Sequence, residues 1–225
     1  MKQLTTIAIV CAALCLPTSA TADEGWQALF DGKSIEAWAV KSGYATYQVE
    51  EGGVILGKTV EGSKNTFLCT PDEYGDFELI FEVKVDKGLN SGVQIRSKLK
   101  ADKKADDYGG RVYGPQVEIE TGPGQAGWIY GEATGRGWLS AEPTSKDENI
   151  NQHDHFRNDD WNEYRVVAKG ANIKTYINGQ LIADLTDEAI YETHPKGFIG
   201  LQVHGIKPGS GPFEVRWRNL KIKSL

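Results

Sequence analysis

The stretch Asp76–Asp86, DFELIFEVKVD, decides the fold class. Phe77, Leu79, Phe81, Val83 and Val85 fall on one side of an extended chain, and Glu78, Ile80, Glu82 and Lys84 fall on the other. This period of two describes a strand with one face on a core and one in solvent. The same alternation recurs outward in both directions, in YQVEE, GVILGK and TFLCT before it. It recurs after it in SGVQIRS, GPQVEIET, NEYRVVAKG, ANIKTYING, LIADL, GFIGLQVHG and FEVRWRNLKIKSL. Asn178-Gly179 joins two of these as a hairpin, because both residues tolerate positive φ. About a dozen such strands predict an all-β protein, a β-sandwich or jelly roll. One helical turn is predicted in TDEAIYETH, capped by Thr186 or Asp187 and stopped before Pro195.

Composition agrees. Of 225 residues, 40% are hydrophobic and 26 are glycine, enough for a real core and many turns. The net charge of −6 disfavours nucleic acid as a partner. Residues 1–22 read as a secretory signal: Lys2 is the basic region, Leu4–Leu16 the apolar stretch, and Ala20-Thr21-Ala22 the small-x-small cleavage site. The apolar stretch is too short to span a bilayer, which takes about 20 residues. No membrane span is expected, and the location expected is secreted or periplasmic. Cleavage would remove Lys2 but no acidic residue, taking the charge from −6 to −7. It would also remove Cys11 and Cys15, leaving Cys69 as a small buried residue with no disulfide partner. With no linker or composition shift, residues 23–225 read as one domain.

Three strands carry an unusual second face. NSGVQIR sends Val93 and Ile95 to the core and leaves Asn90, Gly92, Gln94 and Arg96 opposite. GPQVEIE sends Val117 and Ile119 in and leaves Gln116, Glu118 and Glu120. FIGLQVHG sends Ile199, Leu201 and Val203 in and leaves Phe198, Gly200, Gln202 and His204. Amides and paired charges grip sugar hydroxyls, and the aromatics of the glycine-rich segment 122–140, among them Tyr130 and Trp138, can stack on a pyranose ring. Adjacent, the three strands would line one polar groove with Gly92 and Gly200 leaving space for a sugar. Glu118 and Glu120 could form an acid–base pair, though carboxylate pairs on strands are more commonly solvated strand glutamates or ion-paired, here with Arg96 or Arg111. His204 is of the residue type best suited to general acid or base work, and a hydrogen-bonded structural histidine would read the same way. His153-Asp154-His155, with Asp147, Asp159 and Asp160 nearby, could hold a divalent metal, but a solvated loop fits the pattern too, and no third ligand stands at a diagnostic spacing. No cofactor is assigned, and a divalent metal stays open. P-loop, serine-hydrolase and cysteine-hydrolase patterns are absent.

LFDGKSIEAW, NSGVQIR, GPQVEIE, the block DDWNEYRVVAKGANIKTYINGQ, and the closing GFIGLQVHG with VRWRNLKIKSL occur in one order. Together, from Trp26 to Leu225, the chain resembles the 3-keto-disaccharide hydrolase family. The resemblance implies a concanavalin-like jelly roll of two curved antiparallel sheets, export, and glycosides already oxidised at C3 by a separate oxidoreductase. It implies proton abstraction at C2, which the C3 ketone acidifies, then loss of the C1 leaving group and addition of water. On this resemblance Arg96 would stabilise the enolate, Glu118 would be the base, and His204 a second acid or base. Asn90, Gln94, Gln116, Glu120, Gln202, Trp138 and Tyr130 would bind the carbohydrate. Many members carry Gln at the position of Glu118 and the acid at that of Gln116. The pair Glu118-Ile119-Glu120 does not extend to the Glu-x-Asp-x-x-Glu pattern of laminarinase-like jelly rolls, which argues against retaining-glycosidase chemistry. The competing expectation is a non-catalytic carbohydrate-binding module of the same fold.

Overall fold

The computed structural model describes residues 25–103, 106–121, 124–141 and 154–225. The expected signal segment and the metal candidates Asp147 and His153 lie outside the described residues. In chain order the first strands are β1 (Trp26–Ala28), β2 (Ala39–Lys41), β3 (Thr46–Glu50), β4 (Val54–Lys58), β5 (Thr66–Tyr74) and β6 (Phe77–Val85). Then come β7 (Ser91–Lys100), β8 (Arg111–Ile119), β9 (Ile129–Glu132), β10 (Gly137–Trp138) and β11 (Asn162–Lys169). The last are β12 (Asn172–Ile177), β13 (Gln180–Thr186), the helical turn α1 (Glu188–Thr193), β14 (Gly197–Val203) and β15 (Glu214–Ser224).

The strands form two antiparallel sheets. One runs β13-β12-β11-β6-β15-β4-β3, with β1 added on β15; the other runs β10-β9-β8-β7-β14-β5-β2. The alternation read from the sequence is the packing code. Phe77, Leu79, Phe81 and Val83 of β6 are fully buried, as are Val93, Ile95, Val117, Ile119, Ile199, Leu201 and Val203 of the other sheet. These residues share one hydrophobic cluster between the sheets. Each such side chain contributes roughly 1.5–3 kcal/mol by leaving water. Phe81 and Tyr164 stack with centroids 5.1 Å apart in the same layer.

The local signals behave as expected. Asn178 and Gly179 both take positive φ, 50° and 83°, between β12 and β13. This is the type of turn whose twist matches the flanking strands. Asp187 caps α1 by accepting from the Ile190 N–H at 3.0 Å. Cys69 is buried, and desolvation pushes its thiol up to about 12, as for a packing residue rather than a nucleophile. Among the described residues, no helix is long and apolar enough to cross a membrane.

Candidate functional site

The three strands with polar second faces are neighbours, in the order β8-β7-β14. Their register sets Gly92 opposite both Glu118 and Gln202, and sets Gln94 opposite both Gln116 and Gly200. On the face turned from the core lies a cavity of about 410 Å³. Asn90, Gln116, Glu118, Gln202, His204, Tyr130 and Trp138 line it, joined by Asn65, Arg111, Gln125 and Glu132. Tyr130 and Trp138 form an edge-to-face pair 5.2 Å apart, which holds an aromatic wall in place.

Glu118 is the most perturbed group there. Its side chain is 3% exposed, and desolvation raises its pKa to about 8 against the donors that oppose it. Those donors are Gln116 Nε2, 2.5 Å from Oε1, and Asn90 Nδ2, 3.1 Å from Oε2. The nearby Glu132 and Glu120 charges push in the same direction as burial. Glu120 sits just past the end of β8; burial raises its pKa too, while the Gln125 backbone, Asn90 and the His204 charge draw it down. His204 donates from Nδ1 to the Gly205 carbonyl at 2.7 Å. A carbonyl can only accept, so in the neutral ring that bond selects the tautomer whose Nε2 keeps its lone pair.

Two expectations change. Alternation sets Arg96 on the groove face, but a register shift between Gln94 and Lys98 breaks the alternation, and Arg96 takes φ +48°. Its guanidinium leaves the groove and donates to the Gly75 carbonyl (2.7 Å), the Gly170 carbonyl (2.7 Å) and Asp76 Oδ1 (2.9 Å). Arg96 thus ties β7 to the β5–β6 connection that joins the two sheets and to the β11–β12 turn of the other sheet, and is no groove cation. The cavity's cation is Arg111, at the start of β8, ion-paired with Glu132 at the end of β9. Neither Glu132 nor Asn65 carries a signal in the sequence, because each is brought in by cross-strand pairing.

The second change concerns the glycines. A Cβ on Gly92 would lie 2.7 Å from Cδ and Cγ of Gln116, so the space at Gly92 is filled by the glutamine and not left for a sugar. At Gly200 a Cβ would make ordinary contacts, 3.4 Å to Gln94 and 3.6 Å to Cys69. The polar face is also shorter than the alternation implies. Phe67, Cys69 and Val112, with Phe198 against them, make a small apolar cluster, and the register puts Phe67 and Cys69 beside Gln202 and Gly200. Gln94 is buried beneath Gln116, and the cavity lining includes neither it nor Glu120. Asp154 and His155 approach to 4.0 Å, but among the described residues no group of three or more His, Cys, Asp or Glu gathers to hold a metal.

Residues 25–223 match the family model of the 3-keto-alpha-glucoside-1,2-lyase-like domain. The chain belongs to this family. A protein of Parabacteroides distasonis ATCC 8503 named as a candidate glycosyl hydrolase is similar at 21% identity, covering 90% of this chain and 94% of that one, with a TM-score of 0.57. A Bacillus subtilis protein with a galectin-like fold shares 10% identity over 88% of this chain and 94% of its own, at a TM-score of 0.60. The carbohydrate-binding module CBM66 of Bacillus subtilis shares 15% identity over 89% and 96%, at 0.53. At these identities the three show the jelly-roll fold. A search of curated proteins finds no match to the chain.

Proposed function

We propose that this protein is an exported enzyme that cleaves glycosides carrying a ketone at C3, by proton abstraction at C2 followed by elimination. The observation that carries the reading is the pair Glu118 and His204 in one cavity, a carboxyl held protonated toward pH 8 and an imidazole with a free Nε2 lone pair. A carboxyl kept neutral by burial beside an imidazole with an unshared lone pair suits the one to acid and the other to base chemistry. His204 Nε2 takes the C2 proton, and the C–H electrons move into the C2–C3 bond to give the enolate. Arg111, on the cavity wall, offsets the charge on the enolate oxygen. The enolate electrons then form the C1–C2 double bond as the C1–O bond breaks, and Glu118 gives its proton to the departing oxygen. Water added across C1–C2 completes a net hydrolysis; without that step the outcome is a lyase. Glu118 is thereby the acid, where the sequence resemblance implies a base.

The family membership, the Tyr130–Trp138 wall and the amides of Asn90, Gln116 and Gln202 support a carbohydrate substrate. Residues 1–22 support export. The test is incubation of pure protein with a 3-keto-disaccharide and its unoxidised parent. Cleavage of the first alone is expected. Saturable binding of both with turnover of neither would assign a binding module instead.

A further inference from the structure

Beneath the cavity runs a chain of buried hydrogen bonds that ends on Glu118. Ser97 Oγ lies 2.6 Å from Gln94 Oε1, and Gln94 Nε2 lies 2.6 Å from Gln116 Oε1. Gln202 Nε2 reaches the same oxygen at 3.0 Å, and Gln116 Nε2 reaches Glu118 Oε1 at 2.5 Å. Ser97, Gln94 and Gln202 are fully buried, and Gln116 is 2% exposed. In this direction every donor points toward Glu118, the pattern a carboxylate requires.

A carboxamide turned by half a rotation about Cγ–Cδ exchanges its oxygen and nitrogen in nearly the same place. Applied to the three glutamines, that turn reverses the whole chain. A protonated Glu118 then donates to Gln116 Oε1, and the two Gln116 N–H groups donate to Gln94 Oε1 and Gln202 Oε1. Gln94 Nε2 donates to Ser97 Oγ, and the Ser97 proton has a second acceptor waiting, the Ile95 carbonyl at 3.1 Å. The chain from Ser97 to Glu118 is therefore paired in both directions, one suited to the anion and one to the neutral acid.

We propose that Gln94 is a positioning residue for Glu118, acting through Gln116 in a hydrogen-bond chain that reverses direction when Glu118 gains or loses its proton. The inference lets the acid of the proposed reaction cycle its proton with every link from Ser97 to Glu118 kept, and in that sense it rests on that reading; the one cost falls on Gln202, whose turned Nε2 takes the place of an Oε1 that has no partner among the described residues. Its test does not, because it is made on the resting protein without substrate.

The experiment is a pH titration of Glu118 by the ¹³C shift of its labelled side-chain carboxyl, in wild type, Gln94→Leu and Ser97→Ala. Removing Gln94 leaves one Gln116 N–H without an acceptor only in the reversed, neutral direction. Losing a partner for a buried N–H costs more than leaving a spare carbonyl lone pair. The neutral acid is thus disfavoured, and the acid dissociation constant of Glu118 is expected to rise about threefold in Gln94→Leu. Ser97→Ala, a milder cut at the far end, is expected to move it the same way by less. A one-way chain that merely polarises Gln116 predicts the opposite sign, and a purely structural Gln94 predicts no change. Either of those results overturns the proposal. In wild type, the side-chain N–H signals of Gln94 and Gln116 should titrate with the Glu118 midpoint, a readout that survives if a variant folds poorly; silence there also overturns it. The other charged and titratable groups around Glu118 are Glu120, Arg111 on β8 paired with Glu132 on β9, His204 after β14, and Tyr164 of β11, whose hydroxyl donates to the Glu118 carbonyl. The hydrogen bonds of Gln94 go to Ser97 and Gln116, so the substitutions leave those groups in place.

Discussion

Gly92 and Gln116 share one space: the Cβ that Gly92 lacks would stand 2.7 Å from the Gln116 side chain. The glycine has an ordinary φ, so the constraint is volume and not backbone conformation. Gly92→Ala is therefore expected to push Gln116 off Glu118, costing about 1–3 kcal/mol of stability by overpacking. It should also lower kcat/KM on a 3-keto-glycoside by about tenfold or more, the scale of 1.4 kcal/mol in a barrier. Gly200→Ala meets only ordinary contacts and should stay close to wild type. Thermal melts and steady-state kinetics on the two variants compare them directly.

Glu118 makes stability depend on pH with a definite sign. Its folded pKa of about 8 lies above the ordinary 4.5, so between those values the folded state holds a proton that the unfolded chain has lost. The stability it contributes is present in full below pH 4.5 and declines as pH rises to about 8. Glu118→Gln cannot lose that proton. Urea unfolding at pH 5 and pH 9 should show the variant gaining on wild type at the higher pH, by a few kcal/mol.

On the proposed reaction the same titration governs turnover. With Glu118 as the acid, kcat should fall as pH rises through about 8. Glu118→Gln should lose roughly a hundredfold or more in kcat on substrates with poor leaving groups, and far less when the leaving oxygen departs without a proton. A pair of 3-keto-glycosides with alkyl and nitrophenyl leaving groups measures the difference.

His204→Gln is expected to lower kcat by about 10²–10⁴ with little change in melting temperature, since among the described residues the imidazole's hydrogen bond goes to its neighbour's carbonyl. Exchange of the substrate C2 proton with deuterated water, followed by NMR, isolates its step; the exchange should vanish in the variant.

Arg96→Ala should behave in the reverse manner. The guanidinium joins Gly75, Gly170 and Asp76 across the two sheets; its loss takes that donor from the Gly75 and Gly170 carbonyls and the counter-charge from Asp76, whose Oδ1 keeps the Gly170 N–H. A loss of about 2–4 kcal/mol is expected, seen as a melting temperature lower by roughly 4–16 °C. Protein that remains folded at low temperature should retain turnover, because Arg96 does not line the cavity.

These residues mark how far the sequence can be read. The alternation in NSGVQIR, GPQVEIE and FIGLQVHG identified the core side chains and the polar side together, because a strand's two faces are a local property. Asn90, Gln116, Glu118, Gln202 and His204 were legible as groove-facing residues for that reason, and they share one cavity. Arg96 was misplaced by the same rule. A bulge is one extra residue against a partner strand, and the partner is not in the local sequence. Arg111 and Glu132 lie 21 residues apart and meet only because β8 pairs with β9.

The sequence by itself determined the fold class, the faces of the strands, the turn at Asn178-Gly179 and the chemical character of the site, all set by short-range periodicity and composition. The tertiary structure decided which cation reaches the cavity, what fills the space at Gly92, and how Glu118 comes to hold its proton. Those depend on strand order, register and burial, which are sums over contacts distant in the chain. A carboxyl's pKa in particular is a property of its surroundings, and the surroundings of Glu118 come from β7, β9 and β11 as much as from β8.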